Sequence, residues 1–295
     1  MKKRKTIFSI VTPSFNQGQF IQETIQSVLS QEGDFYIDYT IVDGGSDDES
    51  VEIIEKYEKF LKNDCEIEEN NGLKYFVNKE RDFAWNRCLG ISYRWKSEKD
   101  EGQSDAINKG LKTACGDIFS FINSDDVYCP HALSRIAGVN WRNKDFVYGN
   151  GMWFDENGND LISYPTYKPT KYSFYYQCTL CQPTVFFRNG VFRKLGEFSL
   201  EYMSFDYEYW LRALFQGHKF SFVNSILAKS RMYQQNKTLS GQQTVHNEVQ
   251  ELKRKYYIES EVNLNPLLLR LHKYLIHNPT ARRVDELHRL LAGLK

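Results

Sequence analysis

The 295-residue chain carries 38 Lys+Arg against 38 Asp+Glu, a formal net charge of zero, with 41% hydrophobic and 15% aromatic residues and only 18 Gly and 7 Pro. The neutral sum excludes a protein that binds polyanions, nucleic acid included, through bulk charge, and the composition excludes disordered and fibrous chains. A chain of this length buries most of its apolar surface as one large domain or two ordinary ones.

The N-terminus, MKKRKTIFSIV, starts basic, but its apolar run from Ile7 to Val11 is interrupted by Ser9 and ends at Thr12-Pro13. It is too short for a signal peptide, and residues 6–12 read as a strand buried on both faces. Phe20, Ile21, Ile25, Val28 and Leu29 then recur at helical spacing. Tyr39 to Val42 reads as a second, short strand broken by Gly44-Gly45, and Val51, Ile54, Tyr57 and Leu61 mark the next helix. Leu73 to Val77 and Ile118 to Ile122 read as further strands, separated by the helix AINKGLKTA, which Gly116 closes. Strands alternating with helices predict an α/β fold on a right-handedly wound parallel sheet, with ligands at the carboxyl ends of the strands.

The second half changes character. Met152 to Tyr164 reads as a hairpin about Asn157-Gly158, Pro183 to Arg188 as a strand, and Ser204 to Gly217 as a helix with Ser204 as N-cap and Gly217 as stop. Tyr207, Trp210, Leu211 and Leu214 lie on one face of that helix. From Glu248 the chain reads as helical and basic on one side; Leu264 to Lys295 hold six Lys+Arg against two Asp+Glu. No window has the length of apolar residues that crosses a membrane. Six cysteines, Cys65, Cys88, Cys115, Cys129, Cys178 and Cys181, read as free thiols of a reducing compartment, and the CxxC from Cys178 to Cys181, with no second pair at zinc spacing, as structural.

Three acidic positions follow strands or open helices. Asp43, in IVDGGSDD, sits beside two glycines that permit close backbone approach; an Asx turn with helix capping is the alternative. Asp125 and Asp126, in Asn123-Ser124-Asp125-Asp126, are adjacent carboxylates directly beyond a buried strand, and a divalent cation would relieve their repulsion. Carboxylate oxygens suit Mg²⁺ or Mn²⁺, which fill their octahedron with water and phosphate oxygens and so serve a diphosphate leaving group. Asp206 lies in the first turn of the helix after Ser204, where it compensates the helix dipole or acts as a general base. Glu208 and Glu201 are rivals that spacing does not separate.

FSIVTPSFNQGQFIQETIQSVLSQ, IVDGGSDDESVEII, SEKDEGQSDAINKGLKTACGDIFSFINSDDVYCPHAL, QPTVFFRNGVFRKLGEF and MSFDYEYWLRAL, in this order, resemble glycosyltransferase family 2, inverting enzymes of the GT-A fold. The resemblance covers roughly residues 6–240. It implies a Rossmann-like mixed, mainly parallel sheet flanked by helices, with a catalytic domain at 1–240, its nucleotide-sugar half at about 1–128 and its acceptor half at about 129–240, and a helical extension at 241–295. It also implies sugar transfer from a nucleotide-diphosphate donor, commonly UDP-linked, to a hydroxyl of a glycan or lipid-linked acceptor with Mg²⁺ or Mn²⁺, in cell-surface polysaccharide synthesis on the cytoplasmic side.

Residue by residue, Thr12, Pro13, Ser14 and Asn16 match the family's nucleotide-binding strand end, and Asp43 the carboxylate that meets the nucleobase. Asp100, Gly102, Gln103 and Asn108 match the loop and helix completing the donor pocket. Asp126 matches the metal ligand and Asp125 the ribose contact beside it, both within the acidic metal motif; Asp206 matches the base. Two departures stand out. Tyr233 occupies the place, two after an arginine, where many relatives have a metal- or diphosphate-binding histidine; His246 is the nearest later histidine, and Arg231 and Lys237 are the cations left to meet the diphosphate. The stretch from Asn78 to Trp95 is longer and more aromatic than usual, as an acceptor loop or a packing contact.

A nucleotidyltransferase would share the sheet and acidic site but wants a basic, glycine-rich loop after the first strand, and TPSFNQGQF has no Lys or Arg. A non-catalytic glycan- or nucleotide-binding protein is the other alternative. In the C-terminal helices Leu267, Leu268, Leu271 and Leu275 alternate with Arg270 and Lys273, which fits peripheral contact with an anionic membrane, or packing on the catalytic domain or on a second copy as a homodimer. Asn236-Lys-Thr is a glycosylation sequon by spelling alone.

Overall fold

The computed structural model describes residues 4–70, 72–78, 87–234 and 242–278. Its frame is one eleven-stranded sheet in the order β3-β4-β5-β2-β1-β6-β10-β8-β11-β7, with β9 paired to β8. β1 (Ile7–Ser14), β2 (Tyr36–Asp43), β5 (Gly90–Ser97) and β6 (Ile118–Phe121) form a parallel centre. The hairpin β3 (Glu66–Asn70) and β4 (Leu73–Val77) adds antiparallel strands on one side. On the other stand β10 (Val185–Arg188), β8 (Phe146–Phe154) with its hairpin partner β9 (Asp160–Ser163), β11 (Phe220–Arg231) and the two-residue β7 (Val127–Tyr128).

Period-two alternation sends successive side chains of a strand to opposite faces, and both faces are covered. Phe8 and Ile10 of β1 join one core with Ile21 and Val28 of α1 (Gly18–Leu29), Ile54 and Leu61 of α2 (Ser50–Asp64) and Leu133 of α4 (Ala132–Ala137). Val11, Phe119 and Phe121 join a second core with Leu111 of α3 (Gln103–Lys112), Phe174 of α5 (Lys171–Tyr176), Phe192 of α6 (Asn189–Leu195) and Trp210 of α7 (Phe205–Phe215). Leu252 of α8 (Gln242–Lys253) and Tyr257 of the π-turn that follows belong to the same core, so the extension is packed into the catalytic half. α9 (Pro266–His277) rests on α5 through Leu275 and Ile276, leaving Leu267, Leu268, Leu271 and Tyr274 exposed.

Several elements depart from the sequence expectations. β2 begins at Tyr36, three residues early, because Asp38 is buried inside it and satisfied by the Ser9 hydroxyl at 2.7 Å and by Arg94 of β5 at 2.5 Å. The stretch before Trp95, read as an acceptor loop or a packing contact, ends in β5, a central strand; residues 79–86 within it lie outside the described residues. β11 had no counterpart, its polar positions and register shifts about Ile226 masking the alternation. Pro183 precedes its strand in a short 3-10 turn. The extension becomes helical at Gln242 rather than Glu248 and is interrupted between α8 and α9.

Candidate active site

Strand register builds the site. Ser14 of β1 pairs with Asp43 of β2, and Asp43 with Ser97 of β5, so three strand ends stop at one height. The chain runs outward from β1 through β2 to β5 and then returns to β6 on the other side of β1, which opens a crevice at the carboxyl ends of β1 and β6. The loops after β1, β2, β5 and β6 meet there.

Asp43 is buried and heavily used. Oδ2 accepts from the N–H groups of Gly45 and Ser46 and from the Ser97 hydroxyl at 2.7 Å, and Oδ1 accepts from the Ser46 hydroxyl at 2.6 Å. This is the Asx turn expected as the alternative; of about four lone-pair sites on a carboxylate, one on Oδ1 is left for a ligand. Asp100 packs against the next residue, Gly44, whose Cβ, if present, would lie 2.9 Å from Asp100 Oδ2. Asp100 Oδ1 accepts the N–H of Gly102, whose φ of 112° suits a glycine as it leads into α3.

The loop after β1 is tied to this turn. The Asn16 N–H donates to Ser46 Oγ at 2.8 Å and its Oδ1 accepts the Asp47 N–H at 3.1 Å. Thr12 points inward, bonded to the Tyr39 hydroxyl, and Pro13 is buried. Ser14 Oγ and Gln17 Oε1 are buried without a hydrogen-bond partner among the described residues. Buried polar atoms are nearly always satisfied, so these two orphans at a strand end mark where a ligand's polar groups belong.

Across the crevice, Gln103 donates to Asn123 Oδ1 at 2.6 Å, and the Asn123 amide reaches Asp126 Oδ2 at 3.3 Å. Asp126 is buried at 2% exposure; desolvation first, then the charge of Asp125, push its carboxyl well above the usual carboxylate range, against the N–H of Arg231 and the Ser230 hydroxyl. Asp125 Oδ2 accepts the Tyr233 hydroxyl at 3.1 Å, and Tyr233 in turn accepts from the Gln17 amide at 3.4 Å. Burial pushes the Tyr233 phenol up to about 12, so it stays a neutral donor. Among the described residues no group of three or more His, Cys, Asp or Glu gathers as a metal cluster. A hard cation of the Mg²⁺ type needs only one or two carboxylates, and the mutual repulsion of Asp125 and Asp126 is what such an ion would relieve, so the pair fits it.

Two expected donor-pocket residues are turned elsewhere. Asn108 is clipped to the backbone of Phe198 in both directions, at 2.8 and 2.9 Å, and joins α3 to the segment leading into α7. Arg231 is 1% exposed, its guanidinium stacked between Phe20 and Phe154 at 4.4 and 4.3 Å and bonded to Glu23 and the Asp125 carbonyl. It braces the acidic turn from behind and does not offer a free charge to a diphosphate. Lys237 lies outside the described residues, as does the sequon at Asn236, while His246 is exposed on α8.

Asp206 stands in the first turn of α7, its Oδ1 accepting the Tyr207 N–H at 2.8 Å. Burial raises its carboxyl above the ordinary value, opposed by that bond. Its charge is felt by Tyr164 and Cys178, and the thiol of Cys181 is pushed up by burial and then by both Asp126 and Asp206, so the two carboxylates lie within electrostatic reach of one side chain. Cys178 and Cys181 are free thiols, and the buried Cys181 packs where a Cβ on Gly151 would stand. Glu208, roughly 200° around the helix from Asp206, is paired with Arg212 at 3.0 Å and with the Tyr256 hydroxyl at 2.7 Å in a separate cavity of about 650 Å³. Glu201 is exposed.

Sequence reasoning missed Ser97, Gln17, Phe20, Glu23 and Tyr164. The first four stand inside the quoted motifs and only Tyr164 lies outside them; the place of Ser97 beside Asp43 becomes visible once the strand register is known. Ser204 holds the N-cap position of α7 as expected, but its side chain accepts no helix N–H.

Comparison with known proteins bears on the family and the fold. The profile of Glycosyl transferase family 2 matches residues 9–96 and 87–196. An uncharacterized glycosyltransferase of Methanocaldococcus jannaschii, MJ1057, is 23% identical over 246 residues, covering 80% of this chain and 74% of its own. This chain spans 45% of two longer Rickettsia relatives. The crystal structure of S. aureus TarS 1-349 with UDP-GlcNAc matches at a TM-score of 0.62 and 16% identity, over 94% of this chain and 74% of that one. The mannosyltransferase PcManGT of Pyrobaculum calidifontis, with GDP-Man and Mn²⁺, matches at 0.59 and 11%, over 95% and 74%. With the fold shared and the family profile spanning the sheet from β1 to α6, the chain belongs to glycosyl transferase family 2.

Proposed function

We propose that the chain is an inverting transferase that moves a sugar from a nucleotide-diphosphate donor, UDP-linked, to a hydroxyl of a glycan or lipid-linked acceptor in cell-surface polysaccharide synthesis. The observation that carries this reading is a repelling pair of carboxylates, Asp125 and Asp126, in the turn after β6, with a further carboxylate, Asp206, in the first turn of α7, a separate element. Inversion requires attack on the anomeric carbon opposite the departing diphosphate, so a base and a diphosphate-binding site on different elements are what the chemistry needs. Asp206, with its raised proton affinity, takes the acceptor hydroxyl's proton as the new glycosidic bond forms and the bond to the diphosphate oxygen breaks. Asp43 and the orphaned Ser14 hydroxyl meet the nucleoside, and Asp125 and Asp126 would hold Mg²⁺ or Mn²⁺, which neutralises charge on the leaving diphosphate. UDP-GlcNAc and GDP-mannose, bound by the fold neighbours, head the donor panel. Release of nucleoside diphosphate from one of these donors with Mn²⁺, lost in Asp206→Asn, is the expected result; undiminished release in that variant removes the base.

The exposed face of α9, with Leu267, Leu268, Leu271 and Tyr274 beside Arg270 and Lys273, supports peripheral attachment to the cytoplasmic face of an anionic membrane, where a lipid-linked acceptor is presented. Among the described residues no helix is long and apolar enough to cross a membrane. Flotation with phosphatidylglycerol vesicles, lost when residues 264–295 are removed, tests this; doubled mass in solution without flotation would assign the face to a second copy.

A further inference from the structure

We infer that Glu248 is a positioning residue for the catalytic carboxylate, the C-terminal extension supplying the cap of the helix that carries Asp206. The first N–H groups of a helix lack intrahelical acceptors. Ser204 stands where a serine would normally accept one of them, yet its hydroxyl donates instead to Glu248 Oε2 at 2.7 Å. The same carboxylate accepts the N–H groups of Met203 and Ser204, each at 2.8 Å. Three positions on, along the same face of α8, Glu251 Oε1 accepts the Tyr202 hydroxyl at 3.1 Å. Two carboxylates of the extension thus strap residues 202–204 immediately before α7.

Asp206 follows two residues later, and its carboxylate is aimed by the Tyr207 N–H at 2.8 Å. Where the first turn of α7 begins therefore decides where the base points. The strap itself is anchored, because Leu252 of α8 is buried in the same core as Trp210 of α7. A negative group at a helix N-terminus is also matched to the helix dipole, so Glu248 holds this end by charge as well as by geometry. General-base catalysis depends on sub-ångström placement, and small displacements cost large rate factors.

The inference rests on Asp206 as the base, and the test separates the two. The full chain is assayed for nucleoside diphosphate release from whichever of UDP-GlcNAc, UDP-glucose and GDP-mannose it turns over, as wild type, Glu248→Ala, Glu248→Gln, Asp206→Asn and the Asp206→Asn, Glu248→Ala pair. Glu248→Ala is expected to lower kcat about 10- to 100-fold with the donor KM within about twofold, and Glu248→Gln, which keeps one acceptor oxygen, to fall between it and wild type. In the Asp206→Asn background, Glu248→Ala should change the residual rate by less than about twofold, since residues acting as a unit are non-additive. Wild-type kcat in Glu248→Ala beside a dead Asp206→Asn overturns the inference alone; wild-type activity in Asp206→Asn overturns both. Should Glu248→Ala melt below the assay temperature, the kcat of Glu248→Gln decides: a donor-KM effect without a kcat effect rejects the strap.

Discussion

The Tyr233 hydroxyl donates to Asp125 Oδ2 at 3.1 Å while its ring packs on Phe20 at 4.9 Å between centroids, so one residue joins the acidic turn to α1. A neutral phenol fixes Asp125 without adding charge, whereas a histidine there would bring a nitrogen ligand. Tyr233→Phe keeps the ring contact and removes the bond, worth about 1 kcal/mol in typical cases. Donor affinity measured by calorimetry should weaken about 3- to 10-fold, with the melting temperature nearly unchanged.

Asp206 ties activity to pH and to stability with opposite signs. The base works ionised, so the rate should fall on acidification through a midpoint above the ordinary aspartate value, because burial raises the carboxyl. Stability runs the other way. The folded chain holds the proton over the interval between the unfolded and folded values, so stability declines as pH rises through that interval, and the penalty is complete above the folded value. Asp206→Asn, whose amide oxygen can still accept the Tyr207 N–H, should therefore melt higher than wild type at pH 7.5, with the gap closing toward pH ~3, while kcat drops about 10²- to 10⁴-fold. Melting curves at the two pH values check the first part and the rate assay the second.

Arg231 and Glu23 form an unequal pair, one 1% and the other 56% exposed at the side chain. Glu23→Gln leaves a guanidinium still stacked and bonded to carbonyls, and an exposed partner contributes about 0–1 kcal/mol. Arg231→Ala removes two cation–π contacts, each worth up to about 2 kcal/mol when desolvated, and empties a buried site. Urea unfolding should show a loss of several-fold greater size for Arg231→Ala than for Glu23→Gln.

Gly44→Ala probes the packing of Asp100 on the turn after Asp43. The new methyl would stand 2.9 Å from Asp100 Oδ2 and 3.2 Å from its Cγ, so Asp100 must swing away. The backbone there is not in the left-handed region, so the fold tolerates the change, and donor affinity should fall about tenfold if Asp100 belongs to the pocket. Gly110→Ala is the contrasting variant: its methyl would lie 2.5 Å from Val11 Cγ1 inside the core, and overpacking of this kind costs about 1–3 kcal/mol of stability.

The alternation of strand and helix was readable because both faces of the central strands are apolar, which makes β1 a continuous run. β2 was read short because a buried charge breaks that pattern, and only the partner strand reveals that Arg94 answers Asp38. β5 hid among lysine, arginine and tryptophan, and with it went Ser97, whose place beside Asp43 is a property of register and not of spacing. Asp125, Asp126 and Asp206 were legible as candidates because carboxylates after strand ends and in a first helical turn are local signals. Spacing did not separate Asp206 from its rival Glu208, which the structure holds in an ion pair with Arg212 and a bond from the Tyr256 hydroxyl, roughly 200° around the helix.

The strap from Glu248 spans forty-four positions of sequence from Ser204. Domains generally form from the N-terminus during synthesis. A nascent chain could thus complete its sheet and its acidic turn while the helix bearing Asp206 still lacked its cap. With Glu248 as the positioning residue inferred above, the full rate of transfer would follow only once α8 had left the ribosome and docked.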